Sequence, residues 1–198
     1  VLFMAWGFSV LFVLVCALIN FTCFLLSPFI VSLLFAYSFC KRFTVWGHAV
    51  LSLVQFFGPV MAYIAIASEI SLSVLFLGGA VFTWIVGVDL IYQSQDLEHD
   101  ARHGLWNLGV VLGRSGSYYI AVLLHALTLN LLVLTGLTAN LSAPYFLGVA
   151  LAFLYFVFSY QLLFRKGLKE IHKIFFVNNA RISLVVLSST MVSLIWNV

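Results

Sequence analysis

Charge is what this chain of 198 residues has least of: nine Lys and Arg and six Asp and Glu make up 8% of it. A soluble domain is about a quarter charged, so a water-exposed surface of ordinary size is excluded. No acid precedes Glu69, and the three cysteines, Cys16, Cys23 and Cys40, lie at no metal-ligand spacing. They read as small packing residues. Low-complexity segments, internal repeats and an extramembrane domain are also lacking. What is present is apolar: 64% of residues are hydrophobic and the mean hydropathy is +1.17.

The apolar residues form runs, and a hydrocarbon core about 30 Å thick calls for roughly 20 of them per helical span. Seven runs qualify, at residues 2–19, 21–39, 45–67, 72–92, 118–137, 144–164 and 182–197. The first two are barely separated. One helix through both would be nearly twice as long as a bilayer is thick, so the chain is expected to reverse near Asn20. The runs do not alternate every second residue, which excludes a membrane β-barrel. The expected fold is all-α, a polytopic membrane bundle of seven transmembrane helices in one domain, residues 1–198. The chain begins with Val1, and no basic segment with a small-residue cleavage site precedes Leu2; it reads as starting partway through a longer protein.

If the seven spans alternate, every cation falls on one face. Lys41 and Arg42 occupy one connection, Arg102 and Arg114 the next, and Arg165, Lys166, Lys169, Lys173 and Arg181 the third. The opposite connections, near Asn20, at 68–71 and at 138–143, carry none. The positive-inside rule makes the basic face cytoplasmic. The expected location is a bacterial inner membrane with the active face in the cytoplasm. The 165–181 connection mixes cations with apolar residues and is expected to lie along the interface as a helix.

Acids are concentrated in one stretch, Asp89 to Gly104, which reads DLIYQSQDLEHDARHG. On a helix continuing from the fourth run, about 100° per residue puts Asp96 and Asp100 roughly 20° to either side of Asp89. Tyr92 and Gln93 share the stripe, and Glu98 points away. Like charges one turn apart destabilise a helix, and the cost rises near a low-dielectric region, so such a stripe persists when a cation is bound. Carboxylates with no His or Cys at useful spacing suit Mg²⁺, which takes one or two carboxylates and phosphate oxygens. A solvated helix end is the plainer reading, but an ionisable residue at the membrane boundary is a functional candidate by default. His48 and His125, near the ends of their runs, fit hydrogen-bonded packing as well as chemistry. His99 and His103 read as solvated.

Asp89-x-x-Tyr92-x-x-x-Asp96-x-x-x-Asp100-x-Arg102-x-Gly104 resembles the second aspartate-rich motif of the UbiA superfamily of membrane prenyltransferases, in the branch acting on 4-hydroxybenzoate and related aromatic acids. The stretch AYSFCKRFT, from Ala36 to Thr44, is similar to that family's Tyr-Pro-x-x-Lys-Arg-x-Thr element, with Ser38 in the place of Pro. Phe176-Val177-Asn178-Asn179 before the last run is a weaker third match. The order and spacing of the three fit the family from Val1 to Val198. The family has nine spans and a first aspartate-rich motif, so the resemblance implies that two spans and half of a metal site lie ahead of Val1. Asn107 and Leu108 depart from the Ser-containing stretch usual after Gly104.

The resemblance further implies transfer of a polyprenyl group from polyprenyl diphosphate to a 4-hydroxybenzoate-like acid in quinone biosynthesis, with Mg²⁺ as cofactor. Asp89, Asp96 and Asp100 would then be metal ligands and, with Tyr92, catalytic. Lys41, Arg42, Arg102 and Asn178 would bind the diphosphate or the acceptor. Arg102 lies off the ideal stripe, so the helix would have to end before it. Partners are the two substrates and the bilayer, with no nucleic acid. A dihydroxynaphthoate acceptor in menaquinone synthesis fits the same residues. Two readings of other classes are a non-catalytic membrane remnant and a cation transporter or channel. The latter needs polar residues deep in several spans, and the first, second and seventh offer little beyond Ser, Thr and Asn. The resemblance predicts that residues 1–198 alone transfer little or no prenyl group, whereas a protein that also carries the first motif depends on Mg²⁺. A transfer assay on both, with and without the metal, checks this.

Overall fold

A chain with so little charge solves its backbone hydrogen bonding inside helices, since lipid offers no partner for a bare N–H or C=O. The computed structural model describes the backbone of residues 2–104, 107–167 and 171–196, and all side chains there except those of residues 2, 41–43 and 172–174. The described residues form eight helices and no strand: α1 (Leu2–Ile19), α2 (Phe21–Phe43), α3 (Gly47–Ala67), α4 (Leu72–Gln93), α5 (Leu97–Arg102), α6 (Leu108–Thr138), α7 (Ala143–Lys166) and α8 (Ile171–Trp196). Six of them, α2, α3, α4, α6, α7 and α8, are long and apolar enough to cross a membrane. The apolar stretch of α1, Phe3–Ile19, is shorter, so the count that the described residues support is six, with α1 as a shorter apolar helix.

The expected reversal is at Asn20, where the backbone is extended and the side chain accepts from Cys23 N at 2.8 Å, capping α2. Its amide Nδ2 donates to the Ile64 carbonyl in the last turn of α3, also at 2.8 Å. Ser68 closes α3 in the left-handed conformation (φ 58°) and Ser71 caps α4 by accepting from Val74 N. Two connections expected as loops are largely helical instead. α6 begins at Leu108 and α8 at Ile171, so Arg114 and Arg181 stand on helices, not in connections. The interfacial helix expected near 165–181 is replaced by the direct extension of the last span: polar residues lengthen a helix whose core-facing side chains, Ile171, Phe175 and Asn178, remain buried.

Burial is inverted relative to a soluble protein. Large apolar side chains such as Phe3, Phe21, Ile66, Leu147 and Trp196 are exposed, while Ser27, Ser52, Thr83, His125, Thr128, Ser159 and Asn178 are buried. Interhelical hydrogen bonds and close backbone approach drive association in lipid, and both are seen. Thr83 and Thr128 hydroxyls meet at 2.8 Å between α4 and α6, the most extensively packed helix pair. Trp84 Nε1 donates to Asn179 Oδ1 at 3.2 Å, Asn178 Nδ2 to Ser159 Oγ at 2.8 Å, and Ser142 N to Ser193 Oγ at 2.7 Å.

Two glycines set how near the helices come. A Cβ on Gly87 would stand 2.8 Å from His125 Nε2, and one on Gly136 would stand 2.5 Å from the Tyr145 ring. Overpacking of that kind costs about 1–3 kcal/mol. Gly87→Ala and Gly136→Ala are therefore expected to lower the thermal unfolding midpoint in detergent. Gly7→Ala, where a Cβ meets nothing within 4 Å, should leave it unchanged or raise it through helix propensity.

Candidate active site

α4 does not continue through the acidic stretch. It ends at Gln93, where Ser94 turns the chain and its hydroxyl donates to the Ile91 carbonyl at 2.6 Å. Residues 94–96 form a turn closed by Asp96 N donating to the Gln93 carbonyl at 3.2 Å, and α5 starts at Leu97. The single-helix stripe expected for Asp89, Asp96 and Asp100 is thus broken between its first and second members. A serine that can bond to the preceding turn competes with helix continuation, and Ser94 does so here.

The three aspartates sit in different surroundings. Asp89 is half-buried on α4, and its Oδ2 accepts from His48 Nδ1 on α3 at 3.2 Å. The Tyr37 ring stands edge-on to His48, centroids 6.4 Å apart. Asp96 is exposed at the N-terminal end of α5 and lines a cavity of about 420 Å³ shared with Gln95, Glu98, His99, Arg102 and Arg114. Asp100 is half-buried, and its Oδ2 accepts from Asn107 Nδ2 at 2.6 Å, while Oδ1 lies 3.6 Å from His99 Nδ1. Among the described residues, no group of three or more His, Cys, Asp and Glu side chains closes on a common metal position. These carboxylates therefore do not form a complete metal cage by themselves.

The break in the helix has a second effect. Because α5 restarts after the turn, Arg102 lines the same cavity as Asp96, which an unbroken helix would have prevented. Arg102 Nη2 stands 3.7 Å from Glu98 Oε2 on the exposed side of α5. Tyr92, half-buried on the last turn of α4, packs against the cluster built by Leu90, Ile91, Tyr160 and Phe175. Asn178 is 3% exposed. Its amide donates to Ser159 and accepts from Arg181 Nη1 at 3.4 Å. Both ends of the Asn178 side chain are used in packing α8 against α7, so the substrate contact expected of it is not what the structure gives it. The side chains of Lys41 and Arg42 lie outside the described residues.

Three residues carry the site's architecture beyond the aspartates. Asn107 caps α6 by accepting from Val110 N at 2.9 Å while holding Asp100. Gln93 Oε1 accepts from Gly109 N at 3.0 Å, fastening the end of α4 to the start of α6. A Cβ on Gly109 would come within 2.9 Å of the Gln93 Cβ, so glycine permits that contact. His48 pairs with an acid 41 positions away. Its sequence signal is a titratable group in an apolar run, which does not name a partner.

Known proteins of the same build make this segment interpretable. The family model described as the UbiA prenyltransferase family matches residues 1–180. The chain is 31% identical over 166 residues to the 4-hydroxybenzoate octaprenyltransferase of Francisella tularensis subsp. novicida (strain U112), covering 83% of this chain and 58% of that protein. It is 34% identical over 183 residues to the 4-hydroxybenzoate octaprenyltransferase of Chromohalobacter salexigens, covering 92% and 60%. It thus spans about three fifths of the length of these relatives. Among solved structures, the apo structure of a UbiA homolog from Aeropyrum pernix K1 superposes with a TM-score of 0.76 at 25% identity, over 94% of this chain and 69% of that one. With these matches and the helical bundle described above, the chain is an integral membrane protein that belongs to the UbiA prenyltransferase family.

Proposed function

We propose that the protein of which these residues form part transfers a polyprenyl group from polyprenyl diphosphate to an aromatic acid, 4-hydroxybenzoate or a close relative, in quinone biosynthesis. The observation that carries this reading is the cavity where Asp96, Arg102 and Arg114 meet at the end of α4, in a chain similar to 4-hydroxybenzoate octaprenyltransferases. In the reaction the allylic C–O bond breaks and the diphosphate leaves with its electron pair. A ring carbon of the acceptor then bonds to the allylic carbon, and the proton on that ring carbon passes to a base.

The chain's own residues suit the first step. Arg102 and Arg114 offer guanidinium groups to phosphate oxygens, which they match in geometry. Asp96 and Asp100 fit Mg²⁺ in donor chemistry: both are oxygen ligands, and this ion needs only one or two carboxylates beside phosphate and water. Asp100 keeps lone pairs beyond those taken by Asn107, since a carboxylate has about four acceptor sites. Mg²⁺ held there would neutralise charge on the departing diphosphate. Asp89, held by His48, stands apart from that pair and suits the acceptor end or the developing cation. The half-buried Tyr92 presents a ring face for the same cation.

In the full-length protein, Asp96→Ala and Asp100→Ala are expected to lower transfer of labelled prenyl group roughly 100-fold or more, with membrane insertion and thermal stability retained. Chelation should abolish activity and added Mg²⁺ restore it. Normal turnover in both variants would overturn the site. Asn107→Ala removes both the α6 cap and the Asp100 contact. It should cost about 1 kcal/mol in thermal stability and reduce transfer roughly 10–100-fold, as removal of a ligand's hydrogen-bond partner does. A panel of 4-hydroxybenzoate and dihydroxynaphthoate acceptors identifies the aromatic acid.

A further inference from the structure

The outer seam between α6 and α7 is furrowed. One hollow of about 330 Å³ runs between the two helices past Leu129, Phe153 and Phe156. A second, of about 250 Å³, lies beside Ser115 and Tyr119. Both are bounded by Val122 and Phe164, so they form one continuous furrow. Along α6 it extends from Ser115 to Leu129, about 21 Å at 1.5 Å per residue. That is close to the depth of one leaflet with its interface, given a hydrocarbon core of about 30 Å for two.

The floor of the furrow is chemically closed. His125 is 1% exposed and bonded at both ring nitrogens. Nε2 faces the Trp84 carbonyl at 3.3 Å and Nδ1 faces the Tyr160 hydroxyl at 2.7 Å. A carbonyl only accepts, so in the neutral imidazole Nε2 carries the proton and the Tyr160 hydroxyl donates to Nδ1. The ring lies on Phe156 with centroids 4.4 Å apart. With these polar groups consumed, the floor suits hydrocarbon. The mouth is of opposite character. Arg165 and Lys166, the last residues of α7, are exposed next to Phe164, and no carboxylate lines either hollow.

We propose that this furrow is a binding site for an anionic phospholipid of the leaflet on the basic face, with an acyl chain along α6 and α7 and the phosphodiester at Arg165 and Lys166. Basic pockets between spans recognise such headgroups. Charge complementarity selects the occupant: a phosphodiester carries one negative charge and needs no metal. A prenyl diphosphate carries more charge and calls for carboxylates with Mg²⁺, which belong to the cavity lined by Asp96. The furrow site is independent of the transfer reaction.

The test uses the purified chain in neutral detergent, with phosphatidylglycerol and phosphatidylcholine of identical acyl chains. Native mass spectrometry should show phosphatidylglycerol retained roughly tenfold or more over phosphatidylcholine, and the former alone should raise the thermal midpoint. Arg165→Gln with Lys166→Gln should erase the headgroup preference. Ala126→Trp, which fills the furrow from its lipid-facing wall, should reduce retention of both lipids. Equal retention of the two lipids by the unaltered chain overturns the proposal, as does an undiminished preference in the double Gln variant. Displacement of phosphatidylglycerol by geranylgeranyl diphosphate without Mg²⁺ also overturns it, by assigning the furrow to the prenyl donor.

Discussion

Lipid provides no hydrogen-bond partner, and that one condition governs the rest of this structure. Each helix closes its own backbone ladder, and each polar side chain in the interior must find another inside the bundle. Thr83 finds Thr128, Trp84 finds Asn179, Asn178 finds Ser159, and His125 finds both Tyr160 and the Trp84 carbonyl. Among the described residues, no buried side-chain nitrogen or oxygen is left without a partner. These bonds are few and specific, so they fix which helices meet and at what height. Glycines such as Gly87 and Gly136 then admit the side chain that makes or flanks the bond. Apolar residues do the opposite of what they do in water: Phe and Leu face outward because lipid is as apolar as they are.

The candidate site lies where that condition relaxes. At the end of α4 the chain emerges from the apolar run and breaks the helix, using Ser94 to satisfy the Ile91 carbonyl. The turn lets one strand of sequence present an acid and a cation to one cavity, because Asp96 and Arg102 no longer have to obey one helical repeat. Gln93 and Asn107 then hold the two sides of the break to α6. The carboxylates are divided: Asp89 faces α3 through His48, and Asp100 faces α6 through Asn107. A segment tied to two neighbouring helices keeps its geometry although α5 has only 6 residues.

How much of this the sequence discloses depends on the physics behind each feature. Apolar runs report burial in lipid directly, so most of the spans, their order and the reversal at Asn20 are legible from residue types alone. The stretch from Gln93 to Ser117 is not. α5 and the start of α6 are polar, and helix there depends on caps and on side chains such as Gln93 reaching across to Gly109. The even spacing of the aspartates implies a single stripe only if the ladder continues, and the hydroxyl of Ser94 decides that it does not. Long-range partners are hidden for a different reason. Nothing near His48 in sequence specifies that α3 packs against α4 with Asp89 opposite. Asn178 is the converse case, a motif residue whose neighbourhood in sequence points to substrate while its packing neighbours are Ser159 and Arg181.

The clasp between Asn20 and Ile64 bears on how such a bundle is built during synthesis. The tip of the α1–α2 hairpin donates to a carbonyl near the end of α3, a residue made 44 positions later. Until α3 has crossed, that amide must be solvated at the membrane surface. The hairpin therefore acquires its final depth only when the third helix arrives, and early insertion of this chain is a three-helix event, not a succession of single ones.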